Sequence, residues 1–239
     1  MHITPDAIIY WQAGPLRINA TLAFTWLVMA IMVAGSWLVT RRLSSGTCLS
    51  RGQNLLEILV GGIQEQIRDV THQDPDRYLP FVGTLFLFIA VSNVLMVVPG
   101  FRPPTGSIST TMALALCVFV SVPAYGISAH GLKAYLKAYV RPSPLMLPIN
   151  VLGELTRTIA LAVRLFGNVM SGTMIGAILL AIAPLFVPVI TNVLGLFIGL
   201  IQAYIFAILA LVFIASANAA HEEGEGSEMK DANEEATDG

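Results

Sequence analysis

Charge is scarce in this chain of 239 residues. Asp, Glu, Lys and Arg make up 12%, against 55% apolar residues and a mean hydropathy of +0.73. An ordinary soluble domain carries about 25% charge, and half of that cannot cover a water-facing surface of this size. The composition argues against a soluble enzyme and for an integral membrane protein. Cysteine is scarcer still. Cys48 and Cys117 alone build neither a disulfide framework nor a cysteine zinc site, and Cys117, inside an apolar run, reads as a small hydrophobe. The four histidines, His2, His72, His130 and His221, are scattered, so no metal site is expected. There is no Gly-rich phosphate loop, zinc-ligand spacing or serine nucleophile elbow, and so no expected cofactor or bond-making residue. The few basic residues form no stripe of the kind nucleic acid requires.

What charge there is lies unevenly. Residues 221–239 hold eight acids and one base, so the net −2 divides into −7 there and +5 over residues 1–220. The sequence thus predicts a membrane domain over 1–220 and a disordered, acidic cytoplasmic tail over 221–239, where apolar residues are too few to support a core.

A helix needs about 20 apolar residues to cross the hydrocarbon. Charge-free intervals predict spans near 20–40, 79–99 and 108–130, the third after a Pro103-Pro104-Thr105-Gly106 turn. From Leu165 to Ala220 there are 56 residues without a charge, interrupted by Pro184 and Pro188. This predicts a helical hairpin over 145–182 and 188–219, with arms longer than an upright span needs and therefore tilted. The first apolar run is too long for a signal peptide and reads as a retained span.

Residues 53–68 place Leu55, Leu56, Leu59, Val60, Ile63 and Ile67 on one helical face, with Glu57, Gln64, Glu65 and Arg68 on the other. That pattern suits a helix on the membrane interface or one packed on other subunits. The fold class is then all-α membrane: about five membrane-embedded helices and one amphipathic interfacial helix. Basic residues concentrate in the first loop (Arg41, Arg42, Arg51, Arg68, Arg77) and the third (Lys133, Lys137, Arg141). Both loops are predicted to be cytoplasmic, with the N-terminus outside and the C-terminus inside.

Arg164 stands deep in the fourth apolar segment. A charge at a helix centre in the membrane costs about 2.5–3.5 kcal/mol on insertion scales and marks functional positions. Guanidinium does not deprotonate in proteins, so it needs a partner or water. Glu154 is ten residues away, about 15 Å along a helix, and is nearer to Arg157 at i,i+3. Ala160, Arg164, Gly167, Asn168, Ser171 and Gly172 share a stripe of mostly small residues, which lets another helix approach closely. Asn192, Gly195, Gly199 and Gln202 form a second stripe on the last segment. One reading gives Arg164 a structural role, snorkelling or pairing within the bundle. The other makes it a fixed charge awaiting a carboxylate on a partner.

Arg164-Leu165-Phe166-Gly167-Asn168, followed by Gln202-Ala203-Tyr204-Ile205-Phe206, resembles subunit a of the F-type ATP synthase membrane sector. Pro148-Ile149-Asn150 before Glu154, and the Pro-Pro-Thr-Gly stretch leading to Thr110-Thr111-Met112-Ala113-Leu114-Ala115-Leu116, add to the resemblance, which covers roughly residues 20–218. It implies a stator subunit whose terminal hairpin lies against a rotating c-subunit ring, with a b-type peripheral stalk and, indirectly, the catalytic head as further partners. It implies a non-catalytic role in a bacterial inner membrane, conducting protons through two offset half-channels to and from the ring carboxylate. Carried over by motif, Arg164 is the arginine that faces that carboxylate. Asn168 and Gln202 match polar positions beside the ion path, and Glu154 matches an acid near the cytoplasmic side; Ser171 and Thr173 complete the candidate set.

The chain departs from the family pattern where many relatives have an acid at Thr173, some a His at Gly195, and others Asp or Asn at Ser107 and Ser109. That pattern is similar to the variant N-type synthases. A path rich in hydroxyls and poor in titratable groups suits protons carried by water, and its oxygens also suit sodium. The proton is the expected ion. Two rivals from other classes remain: a secondary transporter using Arg164 to bind an anion, which predicts paired repeats not found here, and a non-transporting membrane scaffold.

Overall fold

The computed structural model describes residues 9–13, 16–41, 51–98, 100–131, 146–182 and 187–237. A short antiparallel ribbon, β1 (Ile9–Ala13) and β2 (Leu16–Asn19), leads directly into helix α1, Ala20–Thr40. Among the described residues the further helices are α2 (Arg51–Thr71), α3 (Leu79–Leu95), α4 (Ile108–His130), α5 (Met146–Ile182) and α6 (Val187–Thr237). Short 3-10 turns precede α3 (Pro75–Arg77) and α4 (Pro104–Gly106).

The protein is an all-α membrane protein in architecture. Among the described residues four helices are long and apolar enough to cross a membrane, with spans at Ala20–Leu38, Ile108–Ser128, Pro148–Leu179 and Val189–Ser216; α3 is a shorter apolar helix. Its 17 residues reach about 25 Å at 1.5 Å each, near the lower limit for a crossing. The expected hairpin arms are α5 and α6. Pro188 is the second residue of α6, where a missing N–H costs the helix nothing.

Helix α6 is the centre of the packing and meets α2, α3, α4 and α5. Its buried face runs through Gly199, Gln202, Ala203, Phe206, Ala207, Ala210, Leu211 and Ile214. Against it lie Leu85, Phe88 and Ile89 of α3, Val118 of α4, and Leu161 and Leu165 of α5. Small residues recur on this face because close approach, rather than water exclusion, drives helix association in lipid. Helix α1 stands at the edge. It leaves Trp26, Val33, Trp37 and Leu38 exposed and is tied in through Val28 and an edge-on Phe24–Phe101 ring contact with centroids 5.0 Å apart.

The structure adds to the sequence expectation the surface that α2 packs on. Amphipathic α2 docks on this chain's own helices: Ile67 is fully buried with Tyr78, Val82, Leu211 and Ile214, and the Tyr204 hydroxyl of α6 donates to Gln66 Oε1. Periodicity identified the apolar face but not its cover. The backbone of the acidic segment continues α6 as helix to Thr237. Extending a helix that has already formed requires no new nucleus. Glu, with six copies there, favours the helical state.

Candidate functional site

Arg164 projects from the exposed side of α5. The buried side of that helix is Leu161, Ala162, Leu165 and Val169, so the residues between them in register, Ala160, Arg164, Gly167 and Ser171, face outward. Among the described residues Arg164 has no hydrogen-bond or ion-pair partner. The stripe around it is smooth: a Cβ built on Gly167 or Gly172 meets nothing within 4 Å. Seven residues earlier, Arg157 holds its guanidinium carbon 5.7 Å from the Phe213 ring centroid, a cation–π contact that links α5 to α6.

One helical turn beyond Arg164 a cavity of about 130 Å³ opens between α3, α5 and α6. A buried water needs roughly 10–15 Å³ by such a measure and two to four polar partners, so the space admits several. The polar residues lining it are Asn93, Asn168, Ser171, Thr191 and Gln202. None of them is titratable. Along α6 the lining runs from Thr191 to Gln202, about 16 Å, from the level of the arginine toward the α5–α6 connection.

The predicted site residues divide between this cavity and its surroundings. Asn168, Ser171 and Gln202 converge on the cavity, and Gln202 is only 6% exposed. The Ser171 and Thr173 hydroxyls donate to their own helix, to the Asn168 and Met170 carbonyls at 3.1 and 2.8 Å; their lone pairs remain to accept. Thr173 is half-buried and does not line the cavity. Glu154 is half-buried near the opposite end of α5.

Sequence reasoning missed Asn93 and Thr191. Asn93 is 3% exposed, and its Nδ2 donates to the Gly199 carbonyl of α6 at 2.8 Å. It is a lone carboxamide inside an otherwise apolar span, which is itself a signal, since polar side chains in such spans bond across helices. The turn before α4 is a second polar region. Residues Pro103 to Ser107 are all buried, Ser107 and Ser109 share a 2.7 Å hydroxyl–hydroxyl hydrogen bond, and Thr105 Oγ1 is buried without a partner.

Fold and site together define a membrane protein whose last two long helices, with α3, line a cavity that carries several uncharged polar side chains beside an outward-facing arginine. The family model described as ATP synthase A chain matches residues 22–215. The chain is 63% identical to the ATP synthase subunit a 2 of Acaryochloris marina, over 91% of this chain and 93% of that one. It is 55% identical to the ATP synthase subunit a of Nitrosospira multiformis, over 99% and 94%. The ATP synthase subunit a 1 of Chlorobaculum parvum is 56% identical, over 93% and 99%. This chain belongs to the ATP synthase A chain family.

Proposed function

We propose that this chain is the non-catalytic, ion-conducting stator subunit of a rotary ATP synthase. It conducts protons to and from a carboxylate on a c-subunit ring, in a bacterial inner membrane, with its N-terminus outside and its C-terminus cytoplasmic. The observation that carries the reading is Arg164: a permanent charge, unpaired among the described residues, on an exposed stripe of small residues. A charge that finds no anion inside its own subunit is placed to meet one outside it.

The physics follows. A ring carboxylate facing lipid must be neutral, because an unpaired buried charge is too costly. Beside Arg164 its ionised form is stabilised, so the ion is released there, and the fixed charge bars direct passage between the two sides. The cavity from Asn168 and Gln202 toward Thr191 serves as the outer half-channel, with Ser171 and Thr173 beside it. Glu154 serves the cytoplasmic half-channel. The acidic segment 221–239 is a cytoplasmic tail outside the membrane domain of 1–220. A b-type peripheral stalk holds the subunit against the turning ring, and nucleotide chemistry belongs to the catalytic head.

The test is reconstitution. Extracted in mild detergent, the chain is expected to copurify with a c-type ring and stalk subunits. In liposomes that complex acidifies the lumen on ATP addition without added sodium. Transport by this chain alone would contradict the stator assignment. ATP-driven sodium uptake unaffected by a protonophore would replace the proton with sodium, for which the neutral oxygens around the cavity are also suitable ligands.

A further inference from the structure

Helices α3 and α6 approach closely where Asn93 meets Gly199. A Cβ added to Gly199 would sit 2.8 Å from Asn93 Cγ and 2.9 Å from its Cβ, closer than side-chain carbons approach each other. In the same place Asn93 Nδ2 donates to the Gly199 carbonyl at 2.8 Å, in a buried environment. Only a residue without a side chain allows the carboxamide this near the backbone of α6. Gly199 is one turn before Gln202, and Asn93, Gly199 and Gln202 all line the cavity that Asn168 also lines.

We propose that Asn93 is a positioning residue for ion transfer: its carboxamide, fastened to the Gly199 carbonyl, fixes α6 against α3 and so holds Gln202 in the cavity that it shares with Asn168. This rests on the reading of that cavity as an ion path. The Gly199 carbonyl belongs to a helix, and its second lone pair takes the extra bond without disturbing the ladder. The lock therefore adds a register to the contact between α3 and α6, which apolar packing alone defines loosely. Freed from it, α6 can slide or turn on α3, and the amide of Gln202 moves relative to Asn168.

Asn93→Leu separates the hydrogen bond from the space it fills, because leucine keeps the branched shape and loses the donor. The measurement is ATP synthesis by the reconstituted complex at fixed membrane potential, as the pH of the compartment facing the α3–α4 connection is varied. With complex content unchanged, Asn93→Leu is expected to shift the half-maximal proton concentration upward by about tenfold, the equivalent of one buried hydrogen bond. Gly199→Ala shifts it in the same direction by pushing the carboxamide away. Asn93→Gly with Gly199→Ala restores the space without the bond and keeps the shifted midpoint. An unchanged midpoint in Asn93→Leu, or a normal midpoint in the double variant, would overturn the proposal. Should Asn93→Leu fail to assemble, Asn93→Ala gives the same reading through its midpoint. Arg164→Ala is the control: if it abolishes pumping while Asn93→Leu keeps the normal midpoint, the positioning role alone falls. If Arg164→Ala pumps normally, the ion-path reading itself falls.

Discussion

Two glycines show how the same residue type serves opposite purposes. Gly199 is buried, and a Cβ there would run into Asn93; Gly167 is exposed, and a Cβ there meets nothing. A larger side chain at Gly167 is therefore harmless to this subunit and harmful only to whatever docks on its outer face. Gly167→Leu is expected to leave the chain inserted and folded, judged by its content in washed membranes and its resistance to protease. It is expected to abolish copurification of the c-ring. Retention of the ring would show that the stripe does not face it. Sequence alone recognised both stripes by their spacing. It could not say that Gly167 faces outward while Gly199 and Gln202 face inward and Asn192 stays exposed, because small residues suit either location in lipid. Arg164 and Gln202 were legible as charge and amide in apolar runs. Asn93 carried the same signal, but its significance lies in a partner 106 positions away.

At the level of elements, length and apolarity were enough to place α1, α3, α4, α5 and α6. The amphipathic period placed α2 equally well. What periodicity cannot give is the surface that covers an apolar face, and Ile67 found its cover in Tyr78, Val82, Leu211 and Ile214 of the same chain. The acidic segment offers no core by composition, and its backbone prolongs α6 to Thr237. A helix polar on all sides has little to hold it, and Gly224 and Gly226 each weaken it by about 1 kcal/mol relative to alanine. Deleting residues 223–239 is accordingly expected to leave proton-driven ATP synthesis largely intact in isolated membranes. A severe loss of coupling in a fully assembled complex would give the segment a role in torque or regulation instead.

The whole molecule is a bundle centred on α6 with one long face left open. On that face stands Arg164, and a cavity lined by apolar residues and five uncharged polar ones, none of them titratable, begins one turn away. On the function proposed above, charge and cavity work together: a continuous wet path through the subunit would dissipate the gradient, and Arg164 would both bar that path and ionise each passing carboxylate. Lysine cannot substitute fully, because its compact ammonium group deprotonates more readily when buried and lacks the spread of donors that guanidinium keeps. The most direct measurement pairs ATP-driven pumping with passive proton conductance in membranes of matched subunit content, comparing the native chain with Arg164→Ala and Arg164→Lys. The account predicts assembled complexes in both variants, no coupled pumping in Arg164→Ala with a raised passive leak, and strong impairment in Arg164→Lys. Normal coupled pumping by Arg164→Ala would contradict it.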